Sequence, residues 1–219
     1  MKKWIIYLSS ILIAILSLAC YLDQRGNKAI EINNDKILQD ELNAQQEAHD
    51  RLKSKADSAL AYCRQKGFST DYCFLIDFSI HSGKYRFFIW DFNKRDVRMS
   101  GLCAHGYGKG STQSKPVFSN IEGSLCSSLG HYKTGARGYS NWGTNVSYKL
   151  HGLDVTNSNA FVRLVTLHAH TPIPAYEIYP QHLPLGYSQG CTVISNALMT
   201  EIDTVLKASR KPLLLWIYN

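Results

Sequence analysis

The sequence predicts a mainly β domain, a sandwich or barrel with one short late helix, set behind a helical stem and an apolar N-terminal segment. Three observations lead there. Short runs rich in aromatic and β-branched residues recur from Tyr72 onward, and one amphipathic stretch comes late, at 196–208. No strand–helix–strand rhythm joins the runs, which argues against a parallel α/β sheet. With 219 residues, 45% hydrophobic and 19% charged, the chain can build one packed domain plus an appendage. Its net charge of +7 contains no basic block interleaved with aromatics, so no nucleic-acid partner is expected.

Lys2 and Lys3 precede residues 4–22, which carry no charge and stop just before Asp23. This is the shape of an export signal, and its length is close to the ~20 residues that cross a bilayer. Three fates fit 1–22: a retained membrane anchor, a lipoprotein signal processed at Cys20, or simple cleavage. Each places the rest of the chain on the outer, periplasmic side of the cytoplasmic membrane, because basic residues stay inside. Residues 23–70 read as a polar helical stem. Ile37, Leu38, Leu42, Leu52, Ala56, Ala59 and Leu60 fall at helical intervals, and Gly67 stops the run.

Residues 71–219 form the expected β domain. CFLIDFSI (73–80) and YRFFIWDF (85–92) make a hairpin around His81, Ser82, Gly83 and Lys84. A third strand covers Val97 to Ala104. Residues 105–147 are dense in Gly, Ser, Asn and Thr and read as long loops with short strands. Phe161 to His168 is a further strand. Leu198, Ile202, Val205 and Leu206 share one face of a helix over 196–208, capped by Asn196. PLLLWIYN closes the chain as a buried strand.

Outside the cytosol, cysteines have to be counted for pairing. With Cys20 set aside, Cys63, Cys73, Cys103, Cys126 and Cys191 are an odd set, so at least one thiol is unpaired. Cys63 and Cys73 flank a short turn and are a candidate disulfide; a wholly reduced core fits equally well. Cys191 stands apart. It sits in LGYSQGCTVISN (185–196), where Gly190 permits a sharp turn and leaves backbone amides open to an oxyanion. A thiol nucleophile needs a base beside it. His168, at the end of the 161–168 run, is the first candidate; His170 and His105 are alternative bases. His168, His170 and His182 lack a nearby carboxylate, so no metal is expected, nor any other cofactor.

His168 followed by a loop and Ser188-x-Gly190-Cys191 resembles the signature of the L,D-transpeptidase (YkuD-like) catalytic domain, a histidine and then Ser/Thr-x-Gly-Cys. YRFFIWDFNKRDV, CAHGYGKGS, PVFSNIEGSLCSSLGHYKTG, KLHGLDVTNSNAFVRLVTLHAH and LLLWIYN are similar, in order, to the murein L,D-transpeptidase branch. The resemblance implies an L,D-transpeptidase-like β-sandwich or barrel and a cysteine acyltransferase acting on peptidoglycan stem peptides. Cys191 would be the nucleophile and His168 the base, with the Ala169 carbonyl orienting the imidazole. Ser188 and Gly190 would shape the turn, and the amides of Gly190 and Cys191 would face the oxyanion. Ser119, Asn120, Ser127, Ser128 and Trp142 are candidate substrate contacts, although hydroxyl-rich loops also arise from turn chemistry alone.

Four positions depart from the pattern. Ala169 stands for a usual glycine, Gln189 for the branch's tryptophan, Thr192 for its proline, and no arginine follows Cys191. These leave nucleophile and base intact and bear on substrate selection. Water as acceptor would make the protein an L,D-carboxypeptidase or endopeptidase, and loss of chemistry would leave a silent wall-binding homologue.

Overall fold

The computed structural model describes residues 36, 38–40 and 42–219; the apolar segment 1–22 and Cys20 lie outside the described residues. Among the described residues no helix is long and apolar enough to cross a membrane. The chain divides into two compact units, Met1–Leu52 and Lys53–Asn219. In the first, residues 42–52 are helical.

In the second unit, residues 53–66 are helical (α1) and bury Ala56, Ala59 and Cys63, a stripe of small side chains at helical spacing. Gly67 ends the helix with φ +71°, a left-handed turn that a side chain would resist. Nine strands follow, interrupted by one helix: β1 (Tyr72–Asp77), β2 (Phe87–Asp91), β3 (Asp96–Gly101), β4 (Cys103–Ala104), β5 (Gly130–Tyr139), β6 (Val146–Gly152), β7 (Thr166–Ala169), β8 (Thr192–Ile194), α2 (Asn196–Ala208) and β9 (Leu214–Tyr218).

They form one sheet in the order β3-β2-β1-β9-β5-β6-β7-β8-β4. The pairs β1–β9 and β7–β8 are parallel, the rest antiparallel. β3 and β4 lie at opposite ends of this order, yet only the fully buried Leu102 separates them in the chain. A sheet whose two edges are joined by one residue has to wrap round until the edges meet, so the sheet is a barrel. The main core holds Phe74, Ile76, Ile89, Leu150, Leu167 and Ala169, and α2 seals it with Leu198, Met199, Ile202 and Val205. A smaller cluster of Leu102, Ala104, Ile173, Leu183 and Val193 lies apart from it.

The mainly β class, the first hairpin, the late helix and the closing strand are as expected. Several elements differ. The strand expected from Val97 to Ala104 is broken at Leu102, because its first part pairs with β2 and its second with β8. The strand expected over 161–168 begins only at Thr166. Residues 161–164 turn instead, with Leu164 at φ +58° and amides of Arg163, Leu164 and Val165 donating to the carbonyls of Asn159, Phe161 and Ala160. Within the supposed loop region, β5 is the longest strand of the sheet. The α2 cap is Ser195, whose side chain accepts from the Leu198 amide; Asn196 is the first helical residue. Cys63 and Cys73 are buried free thiols, not a disulfide.

Candidate functional site

Strand alternation sets the site. Leu167 and Ala169 point into the main core, so Thr166 and His168 face the other side of β7. β8 runs parallel to β7 with Leu167 opposite Thr192 and His168 opposite Val193. Cys191 directly precedes β8, and this register carries it alongside Thr166. Its Sγ lies 3.6 Å from Thr166 Oγ1 and 3.9 Å from the Leu164 carbonyl, and His168 is its electrostatic partner. His168 Nδ1 is 3.0 Å from the Ala169 carbonyl. A carbonyl only accepts, so Nδ1 carries a proton and Nε2 is the nitrogen left for the thiol.

The electrostatics separate this thiol from the others. Burial pushes the Cys63 and Cys103 thiols up to about 12, and Cys73 well above its ordinary value. Burial acts on Cys191 in the same direction, but hydrogen bonds from His168 and Thr166 outweigh it and hold the thiol below its ordinary value. His168 is the mirror image. Burial lowers its pKa, while the bonds to Cys191 and the Ala169 carbonyl raise it, with a net rise. Both shifts act in the direction of thiolate and imidazolium, the reactive form of a Cys–His couple. Cys191 is also half-exposed, whereas the other four described cysteines are buried.

The turn before Cys191 is held from both sides. Ser188 Oγ donates to the Cys191 carbonyl at 2.6 Å and accepts the Gly190 N–H at 3.0 Å. Gly190 has φ +105°, and a Cβ there would stand 2.7 Å from the Cys126 carbonyl oxygen and 3.1 Å from Arg163 Nη2. Only glycine fits. The Gly190 amide, expected to face an oxyanion, is bonded to Ser188 in the resting chain.

Arg163 has no counterpart in the sequence-based expectations. Its Nη1 donates to the Ser119 carbonyl (2.8 Å) and to Ser128 Oγ, and its Nη2 to the Cys126 carbonyl (2.6 Å) and Ser124 Oγ (3.3 Å). One guanidinium therefore fastens the 119–128 loop against Gly190. The sequence signal of Arg163 is a cation in a run of apolar residues, whereas Thr166 carries none beyond its strand position.

The remaining expected residues divide. Ser127 and Ser128 are buried, and their hydroxyls close loops: Ser127 accepts from the Gly106 amide, and Ser128 donates to the Ser119 carbonyl. Ser119 Oγ accepts from the Ile121 amide, and Asn120 ties down the 155–159 turn through Val155, Ser158 and Asn159. His105 Nδ1 meets Arg86 at 3.0 Å and Nε2 meets the Thr112 carbonyl at 2.8 Å. Burial and the Arg86 charge lower its pKa to about 4, so it is a neutral structural imidazole. His170 lies against the edges of Trp142 and Tyr187 at 5.3 and 5.0 Å. Trp142 is 56% exposed. His182 stacks on His81 at 3.7 Å, and among the described residues no group of three or more His, Cys, Asp or Glu is placed to hold a metal. Of the two unusual neighbours of Cys191, Gln189 is exposed, while Thr192 is buried with its hydroxyl unpaired.

A thiol beside an imidazole is an arrangement that can support thiol-based acyl transfer. The family model of the L,D-transpeptidase catalytic domain matches residues 40–218, and the chain belongs to that family. No curated protein matches the sequence. Among solved structures, it is similar to an L,D-transpeptidase (residues 123–326) from Xylanimonas cellulosilytica, at 13% identity and a TM-score of 0.40, covering 68% of this chain and 61% of that one. It is also similar to the helical cell shape determining protein Pgp2 from Campylobacter jejuni (14% identity, TM-score 0.43, 68% and 47% covered). A third is Bd1075 of Bdellovibrio bacteriovorus (16%, 0.40, 69% and 49%). The chain thus spans less than two thirds of each of these structures.

Proposed function

We propose that the protein is a cysteine-dependent L,D-transpeptidase of the cell envelope that acts on peptidoglycan stem peptides. The observation that carries this reading is the Cys191 sulfur 3.6 Å from the Thr166 hydroxyl and electrostatically coupled to His168, whose Nδ1 is anchored on the Ala169 carbonyl. The Cys191 thiolate attacks the carbonyl of the third stem residue. The C–S bond forms, the C–N bond to the terminal D-alanine breaks, and His168 gives its proton to the departing amine. An amine of a neighbouring stem then attacks the thioester, loses a proton to His168 and expels the thiolate, leaving a new amide crosslink. The Cys191 amide is the proposed backbone donor to the oxyanion, a contribution of about 3 kcal/mol for one well-placed donor.

Ser188 fixes the turn and Gly190 gives it room, while Gln189 and Trp142, both exposed, contact substrate in this reading. Residues 1–22 target or tether the chain at the outer side of the cytoplasmic membrane. The test is to incubate the protein with disaccharide-tetrapeptides and resolve the products by chromatography and mass spectrometry. Crosslinked dimers that disappear in Cys191→Ala are expected. Tripeptide alone would mean hydrolysis, and unchanged substrate would mean a silent homologue.

A further inference from the structure

The Cys191 sulfur has a neighbour besides the expected base: the Thr166 hydroxyl, 3.6 Å from Sγ. Its placement follows from the sheet. Thr166 and His168 are two residues apart on one face of β7, and the parallel register with β8 brings Cys191 level with Thr166. A strand residue has no carbonyl one turn back to capture its hydroxyl, as a helical threonine does, so the proton is free to turn to the sulfur.

We propose that Thr166 is a third catalytic residue, whose hydroxyl donates to the Cys191 sulfur whenever that sulfur carries negative charge. This rests on the acyl-transfer reading for its role in turnover, but not for the contact itself. A neutral thiol can donate its own proton, to Thr166 Oγ1 or to the Leu164 carbonyl at 3.9 Å. A thiolate can only accept, so the Thr166 O–H must then point at it. The thioester sulfur is uncharged and a poor acceptor, and the bond lapses in the acyl-enzyme. It forms again when the incoming amine breaks the C–S bond and the electron pair returns to sulfur. Thr166 thus acts at both ends of the cycle, on the attacking thiolate and on the leaving one. No proton is transferred by Thr166 in either step; His168 carries that traffic. The lowered thiol pKa, to which Thr166 contributes, agrees with this geometry.

The test titrates the thiol directly. The rate of iodoacetamide alkylation at Cys191 is followed against pH by peptide mass mapping, in the full chain and in Thr166→Val, Thr166→Ala and Thr166→Ser. Valine keeps the shape without the hydroxyl, serine keeps the hydroxyl, and alanine adds no bulk should valine disturb the strand. Val and Ala are expected to raise the midpoint by about one pH unit, a tenfold loss of thiolate below it, with Ser close to the parent. Titration of folded Val and Ala variants at the parent midpoint would overturn the proposal, as would a Ser variant that shifts with them. Alkylation needs no substrate, so failure of the peptidoglycan assay would leave this result standing. A normal alkylation profile beside full crosslinking would sink Thr166 alone.

Discussion

Gly190 shows how tightly the thiol is framed. Its φ of +105° and the Cys126 carbonyl 2.7 Å from where a Cβ would sit leave no space for a methyl group. Alanine there must push the 186–191 turn away from the 119–128 loop that Arg163 secures, moving the Cys191 amide and sulfur together. Gly190→Ala is expected to cost about 10²–10³-fold in turnover, the scale of one misplaced oxyanion donor, with a loss of stability of about 1–2 kcal/mol. Initial rates and thermal melts check both. His105 makes the opposite point. Both of its ring nitrogens are engaged by Arg86 and Thr112, so a histidine that looked like a rival base is part of the frame.

At the scale of elements, the barrel wall is tied to α2 by Asp203. It accepts from Arg137 at 2.8 Å and from the Tyr148 hydroxyl at 2.7 Å, and pairs with Lys207 one turn on. Arg137 lies where the β5–β6 register shifts between Thr134 and Arg137. The Arg137 bond, with help from Lys207 and Tyr148, holds the Asp203 carboxyl well below its ordinary range against an opposing burial effect. A depressed folded-state pKa contributes stability above the unfolded value near 4, lost as pH falls through the folded one. Asp203→Asn should therefore melt about 2–4 °C lower at pH 7, about 1 kcal/mol, with the gap closing in acid below about pH 4. Melts of both proteins from pH 3 to 8 measure this.

The elements also show what sequence can carry. β1, β2, β9 and α2 were legible because each buries a continuous or periodic apolar face. β5 was not, since GHYKTGARGY mixes glycines and charges and gains its order from pairing on both sides with β6 and β9. The 161–164 turn is not legible because Phe161 and Val162 favour strand locally, while in the turn Arg163 bonds the 119–128 loop. Cys191 and His168 could be proposed from sequence as a couple, but Thr166 and Arg163 could not. Their roles depend on the β7–β8 register and on a loop about forty residues away.

For the whole molecule, closure of the barrel through Leu102 brings β8, and with it Cys191, beside β4 at one end of the sheet order. The thiol thus sits at the start of a strand buried on both sides while itself remaining half-exposed. Such a frame holds a side chain still without enclosing it. The proposed function stands on acylation of this sulfur. Intact-protein mass spectrometry during turnover of a disaccharide-tetrapeptide measures it most directly. An added mass equal to the donor less D-alanine, mapping to Cys191 and absent from Cys191→Ala, is expected. A folded protein that never gains this mass, or an adduct that persists in Cys191→Ala, would contradict it.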